Sequence, residues 1–432
     1  MSDDVVYDQD VRGWLASVDV PRTRLDVGEI VQLGRARTRR RQRRVLAVAA
    51  IVALVGAVSI SASLQDRAVS TTPPPVASDG SVVNGWRELP GSPLSPRGHA
   101  LGLWTGREVL LIGGTEGPVC PPNARCTFKD GPPLADGAAV DPATGRWRRI
   151  ADAPVPFRSA EWDGSQGVVV DQTAYLLLHD GLFAYDVGKD QWHQVTVPFD
   201  LRGRALLAAG DTLVAYLQSP SCYYTSSCPD RVQSVDYAYE ADNAQWTALP
   251  ADPLGGGRRT MTWTGHEFVL FDHPLAAQPG GELALVRAVV LDPATGSWQR
   301  LPDSQILWTS PWVVADGVLI NPTLGGSDDE PGYRLGGQID PAAGIWSPLP
   351  DPPAGARHSA GARTDSTAIY TAHQGSVLDT ATGIWQEVPA LPDGELHYRT
   401  LVAAGTDMVV FGGTDLVTGG FVNNSWIWSP GR

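Results

Sequence analysis

Asp141-Pro-Ala-Thr-Gly-Arg-Trp147 returns as Asp292-Pro-Ala-Thr-Gly-Ser-Trp298, Asp340-Pro-Ala-Ala-Gly-Ile-Trp346 and Asp379-Thr-Ala-Thr-Gly-Ile-Trp385, with weaker copies ending at Trp192 and Trp246. Each copy reads as the turn of a hairpin. An Asp side chain caps the reversal, Pro fixes φ at the next position, and Gly supplies the positive φ that a tight turn needs. An apolar or alternating stretch precedes each copy, for instance Leu182-Phe-Ala-Tyr185 or Val235-Asp-Tyr-Ala-Tyr239, and the stretch after each Trp often stops at Leu-Pro or Val-Pro. The Trp therefore opens a strand, and an indole at one fixed place per repeat is expected to pack between neighbouring sheets.

Two more strands lie upstream of each hairpin. They are clearest at His99–Trp104 with Val109–Ile112, at Thr260–Trp263 with Phe268–Phe271, and at Thr400–Ala403 with Met408–Phe411. Separations of 45, 54, 52, 48 and 39 residues between successive Trp from Trp147 to Trp385 suit a four-strand unit of about 50 residues. A lone outer strand, Val83–Pro90, precedes the first repeat, while the last repeat ends at Ser425–Pro430 without its outer strand. Six complete repeats and one split repeat predict an all-β, seven-bladed propeller closed by its N-terminal strand, a closure that removes exposed sheet edges.

The chain resembles the kelch-repeat family over roughly residues 83–430, and more loosely the propeller domain of galactose oxidase. The resemblance rests on the diglycines Gly113-Gly114 and Gly412-Gly413, the Arg near the first strand and the spaced Trp; the diglycine stands plainly in only the first and last repeats. A WD-repeat reading has only Trp162-Asp163 behind it. Kinship with galactose oxidase would imply copper held by two Tyr and two His, with one Tyr linked to a Cys. Here the four Cys fall in two close pairs and the eight His are scattered over different repeats, so no cofactor and no metal site are expected.

The N-terminal region divides into a basic head (1–44), an apolar segment (45–64) and an extended linker (65–81) ahead of the propeller (82–432). The twenty residues Val45–Leu64 carry no charge and read as one transmembrane helix, long enough at about 1.5 Å per residue to cross a hydrocarbon core of about 30 Å. Arg35, Arg37, Arg39, Arg40, Arg41, Arg43 and Arg44 stand just before it, which places the N-terminus in the cytoplasm and the propeller outside. A cleaved signal peptide is the competing reading, with Ser61, Ala62 and Ser63 near the cut, but the leader before the apolar run is long for that pattern. The head resembles the short heads of actinobacterial single-span membrane proteins, some of which are anti-sigma factors, but it contains neither His nor Cys and so lacks the zinc signature of many such factors. Its simplest role is orientation at the membrane surface.

Composition narrows the functional classes. With 47 Gly, 35 Pro and 19% charged residues the chain is turn-rich, and a formal charge of -14, concentrated outside the basic head, argues against a nucleic-acid partner. Cys120 with Cys126 and Cys222 with Cys228 each enclose five residues, a spacing that suits local disulfides in an exported domain better than zinc. No Gly-x-Ser-x-Gly elbow, phosphate loop or His-Glu-x-x-His helix occurs, so no catalytic residue is assigned. Asp328, Asp329 and Glu330 form an acidic loop that reads as a solvated turn, with weak calcium binding the sharper alternative.

The sharper site candidate is a set of arginines. Arg97, Arg158, Arg204, Arg259, Arg357 and Arg399 fall near the starts of the first strands, which line the channel in such propellers. Convergence there would suit an anionic or sugar ligand, whereas bracing between blades is the structural use. The expected function is a monomeric, membrane-anchored module that binds an envelope protein or glycan, with Tyr223 and Tyr224 as exposed loop aromatics. An exported carbohydrate-active enzyme and an envelope sensor signalling through its head are the alternatives.

Overall fold

The computed structural model describes residues 82–83, 85–117, 131–159, 167–178, 181–219, 235–254, 257–273, 285–307, 312–324, 333–350, 361–363, 368–371, 376–380, 382–394, 396–415 and 418–429. The head, the apolar segment and the linker lie outside them, and among the described residues no helix is long and apolar enough to cross a membrane. All the sheets belong to one compact unit, 70–292 with 297–432.

Seven antiparallel sheets make up this unit, six of four strands and one of five. In blade 1 Leu101–Trp104 pairs with Val109–Ile112, that strand with Gly137–Asp141, and that in turn with Arg146–Ile150. The first strands of the blades are Leu101–Trp104, Gly167–Val170, Arg204–Ala209, Arg258–Trp263, Val313–Ala315, Gly361–Arg363 and Thr400–Ala404. Each packs beside the next and the last returns to the first, so the blades form the closed ring of a β-propeller with the first strands innermost.

Closure uses the N-terminal strand, as the split repeat predicts. Trp86–Glu88 pairs with Phe421–Trp428, the third strand of blade 7. The stretch expected as one strand, Val83–Pro90, is instead interrupted: Gly85 has φ +80° and lets Val82–Val83 fold back on Trp86–Arg87, which adds the fifth strand.

Seven hydrophobic clusters hold the ring, one at each junction between adjacent blades. The repeated Trp lies at these junctions, and its indole N–H makes the same bond each time. Trp147 donates to the Pro90 carbonyl (2.8 Å), Trp192 to Ala151 (2.9 Å), Trp246 to Thr196 (3.0 Å), and Trp298 to Pro250 (2.9 Å). Trp346 donates to Pro302 (2.8 Å), Trp385 to Pro350 (3.0 Å) and Trp86 to Pro389 (2.7 Å), completing the circuit. In every case the acceptor follows the outer strand of the preceding blade. The Leu-Pro and Val-Pro endings thus supply carbonyls that the next blade's indole satisfies while its rings fill the junction.

The turns behave as the repeat implies. Asp141 Oδ1 accepts from the amides of Ala143 (3.0 Å) and Thr144 (3.2 Å), and Asp340 Oδ1 from Ala342 (2.9 Å) and Ala343 (3.0 Å). Gly145, Gly344 and Gly383 have φ of +68°, +67° and +69°. The weaker copies keep the conformation without the glycine: Asp190 and Ala244 stand at +55° and +53°.

Candidate functional site

Antiparallel pairing decides which connections share an end of the ring. In blade 1 Leu101 lies opposite Ile112, and Ile112 opposite Gly137, so the link 113–136 leaves and rejoins the blade beside the start of the innermost strand. The links 218–236, 274–286 and 322–336 leave blades 3, 4 and 5 at the same end. At the opposite strand ends the chain reverses in the short Asp-Pro-Ala-Thr-Gly type of turn. The two cysteine pairs, Cys120 with Cys126 and Cys222 with Cys228, fall inside long links, as do Tyr223, Tyr224 and Asp328–Glu330. All of these residues, and Arg357, lie outside the described residues.

The five described arginines of the expected set occupy this end, but most of them brace it. Arg97 is 1% exposed and forks onto Asp136, Nη1 to Oδ1 at 2.7 Å and Nη2 to Oδ2 at 3.0 Å. Its remaining donors reach the carbonyls of Gly113 and Ser95, both at 3.1 Å, and the Ser95 hydroxyl at 2.6 Å. Arg259, also 1% exposed, forks onto Asp236 (3.1 and 2.7 Å), reaches Asp252 at 2.9 Å and donates to the Leu217 carbonyl at 2.8 Å. Arg204 donates to the carbonyls of Asp200 (2.7 Å) and Val235 (2.9 Å), and its guanidinium lies 4.7 Å from the ring centre of Phe199 and 5.2 Å from that of Tyr237. Arg399 holds Asp393 at 2.6 Å. Arg158 is exposed.

Asp136 and Asp236 each stand one residue before the third strand of their blade, one register position apart when the blades are aligned on Trp147 and Trp246. The guanidinium reaching each also binds the carbonyl where the second strand ends, and so ties the base of a long link across the gap. Arg97 comes from the approach to the same blade, whereas Arg259 comes from the first strand of the next. Arg204 and Arg259 are the two arginines that share a neighbourhood, since the Asp236 charge acts on both. Burial pushes the Arg204 guanidinium down; at Arg259 the charges of Asp236, Asp252 and Asp272 outweigh burial and push it up.

Sequence reasoning missed the carboxylates of this junction. Asp272, fully buried at the end of the second strand of blade 4, pairs with Arg287 at the start of the third. Burial pushes its carboxyl above the ordinary 3.8, and the Arg287 charge and hydrogen bond only partly offset that. At Asp136 burial also pushes upward, but the Arg97 hydrogen bond and charge, with Arg149 adding to them, hold the carboxyl below 3.8. Alignment on the repeated Trp does not expose this pattern, because Asp136 stands eleven residues before Trp147 and Asp236 ten before Trp246. Asp252 and Asp272 have no periodic signal. Among the described residues no group of His, Cys, Asp and Glu has the arrangement of a metal site. An open cavity of about 320 Å³ adjoins Arg204, lined by Val197, Phe199, Asp200, Leu201 and Arg202.

Fold and site together define a closed seven-bladed β-propeller whose long links rise from an end braced by buried Arg–Asp pairs. No protein-family model matches the chain, and no curated protein matches it. Among solved structures it is similar to one described as "Structure of YjhT", at 12% identity and a TM-score of 0.41, over 80% of this chain and 98% of that one.

Proposed function

We propose that this chain is a membrane-anchored, extracytoplasmic kelch-like propeller that binds a protein or glycan partner at the cell envelope through its long-link end. The observation that carries the reading is the pairing of long links with buried ionic braces at one end of a closed ring. A buried guanidinium between carboxylate and carbonyl fixes the roots of a link while leaving its length free to vary, which is how a scaffold presents a recognition surface. The uncharged run 45–64 with its arginine-rich flank supports the anchor, and the paired cysteines support an oxidising location.

Photocrosslinking in the native envelope tests the reading. A benzophenone amino acid at position 224, in a long link, is expected to give adducts that the same probe at position 343, in a short turn, does not. Adducts from position 343 alone, or equally from both, overturn the assignment of the binding end. Alkaline extraction of membranes tests the anchor: the full chain is expected to stay in the pellet, and its release into the supernatant overturns that part.

A further inference from the structure

Six residues other than glycine have positive φ among the described residues, and four of them, Asp171, Asp190, Ala244 and Asp316, sit in hairpin turns whose reversal requires it. His99 (φ +56°) and Tyr398 (φ +58°) do not. They hold equivalent places in adjoining blades: Gly98 pairs with Thr115 and His397 with Thr414, so His99 and Tyr398 each come one residue later, just ahead of an innermost strand. The His99 amide donates to the Tyr398 carbonyl (2.9 Å), and the Ser159 amide to the His99 carbonyl (2.8 Å), a staircase of backbone bonds from blade 7 through blade 1 to blade 2. Ser159 takes the third step without positive φ, so the junction itself does not demand the left-handed backbone. A bulky side chain such as that of Tyr is disfavoured in that conformation, which Gly adopts readily and Asn and His more often than most residues. The sequence keeps an imidazole and a phenol there.

The two rings stack, with centres 4.2 Å apart and planes at 25°, and the exposed His397 ring lies 6.2 Å from Tyr398. Gly98 makes room: a Cβ there would come within 3.3 Å of the Tyr398 Cβ and carbonyl oxygen. His99 and Tyr398 are half-buried, and Arg158 is exposed beside Ser159. The mouth of the channel thus carries two half-buried rings stacked face to face, each keeping only its outer face, with the His99 Nε2 buried and the exposed His397 and Arg158 side chains beside them. A sugar ring has the matching chemistry, a C–H face that packs on aromatic planes and adjacent hydroxyls that both donate and accept.

We infer that Tyr398, His99 and Ser159, flanked by His397 and Arg158, form a sugar-binding site at the channel mouth across blades 7, 1 and 2. This rests on the binding function above and commits it to a glycan. The test uses the full chain in a zwitterionic detergent without a sugar headgroup. Saturation-transfer NMR is run with methyl glycosides of a neutral hexose, an N-acetylhexosamine and a hexuronic acid, and Tm is followed in parallel.

At least one glycoside is expected to show transfer, and His99→Asn and Tyr398→Asn, whose new residue suits the left-handed backbone, are each expected to weaken it tenfold or more with Tm unchanged or raised. Binding within twofold of the original in both variants overturns the site while leaving glycan binding elsewhere on the ring. A marked fall in Tm in both variants assigns the rings to structure and equally overturns it. If the original chain shows no transfer while position 224 still crosslinks a partner, the sugar site falls and the binding reading stands; loss of both removes both.

Discussion

The two ends of the ring obey different rules. At the turn end the chain reverses through nearly one motif in blade after blade, with an Asp oxygen capping the amides and a left-handed residue before the Trp. At the link end the described braces differ: blade 1 uses Arg97 with Asp136, the junction of blades 3 and 4 uses Arg259 with Asp236 and Asp252, and blade 4 adds Arg287 with Asp272. Short-range chemistry repeated at a fixed spacing builds the sheets. Individual long-range pairs then secure whatever links each blade carries.

Removing a brace at the link end is expected to have the largest effect. Arg259→Ala leaves Asp236 and Asp252 buried without their cation, and a loss of about 3–5 kcal/mol is expected in chemical denaturation. A loss below about 1 kcal/mol would mean that the braces are dispensable and erase the contrast between the ends.

Asp136→Asn tests the same end through pH. The Asp136 carboxyl is held below 3.8, so its ionic stabilisation is present above that value and fades as pH falls through the lower folded value. The variant is expected to cost about 1.5–3 kcal/mol at neutral pH, the range for a hydrogen bond to a charged group, and progressively less on acidification. Asp272 has the opposite sign: its raised carboxyl favours the folded state below 3.8 and loses that contribution as pH rises through the folded value. Denaturation midpoints for Asp272→Asn are therefore expected to gain on the original chain as pH rises, and parallel pH profiles for the two aspartates would contradict the distinction.

The repeated Trp gives a smaller and more uniform effect. Trp298→Phe keeps most of the packing and removes the donor to the Pro250 carbonyl, for an expected loss of about 1 kcal/mol, and Trp147→Phe is expected to match it closely. Widely different losses would break the equivalence of the blades. Smallest of all, Ala244→Gly relieves a left-handed alanine in a turn, and a gain of a few tenths to about 1 kcal/mol is expected in thermal unfolding.

The fold was legible because its signals are local and recur. Asp, Gly and Trp at one spacing specify a turn and the strand after it, and the missing outer strand at the C-terminus matched the spare strand at the N-terminus, which the pairing of Trp86–Glu88 with Phe421–Trp428 fulfils. The diglycines were legible as a motif but not in purpose. Gly114 and Gly413 donate their amides to the carbonyls of Phe157 and Arg97 on the approaches to the next blades, and a Cβ at Gly113 or Gly412 would come within 2.6 or 2.4 Å of those same oxygens.

The arginines show where sequence reading stops. Their recurrence near the first strands was visible, yet Arg97 and Arg259 spend their forks on carboxylates remote in sequence, and nothing in the chain's order says which Asp meets which Arg. His99 and Tyr398 are more distant still, and only closure of the ring stacks their rings. By itself the sequence determined the strands, the turns, the repeat and the closing strand, because each depends on neighbours a few residues away or on counting. Tertiary structure alone decided which charges pair and which side chains meet at the channel mouth, because desolvation and ring closure act between residues that the chain keeps far apart.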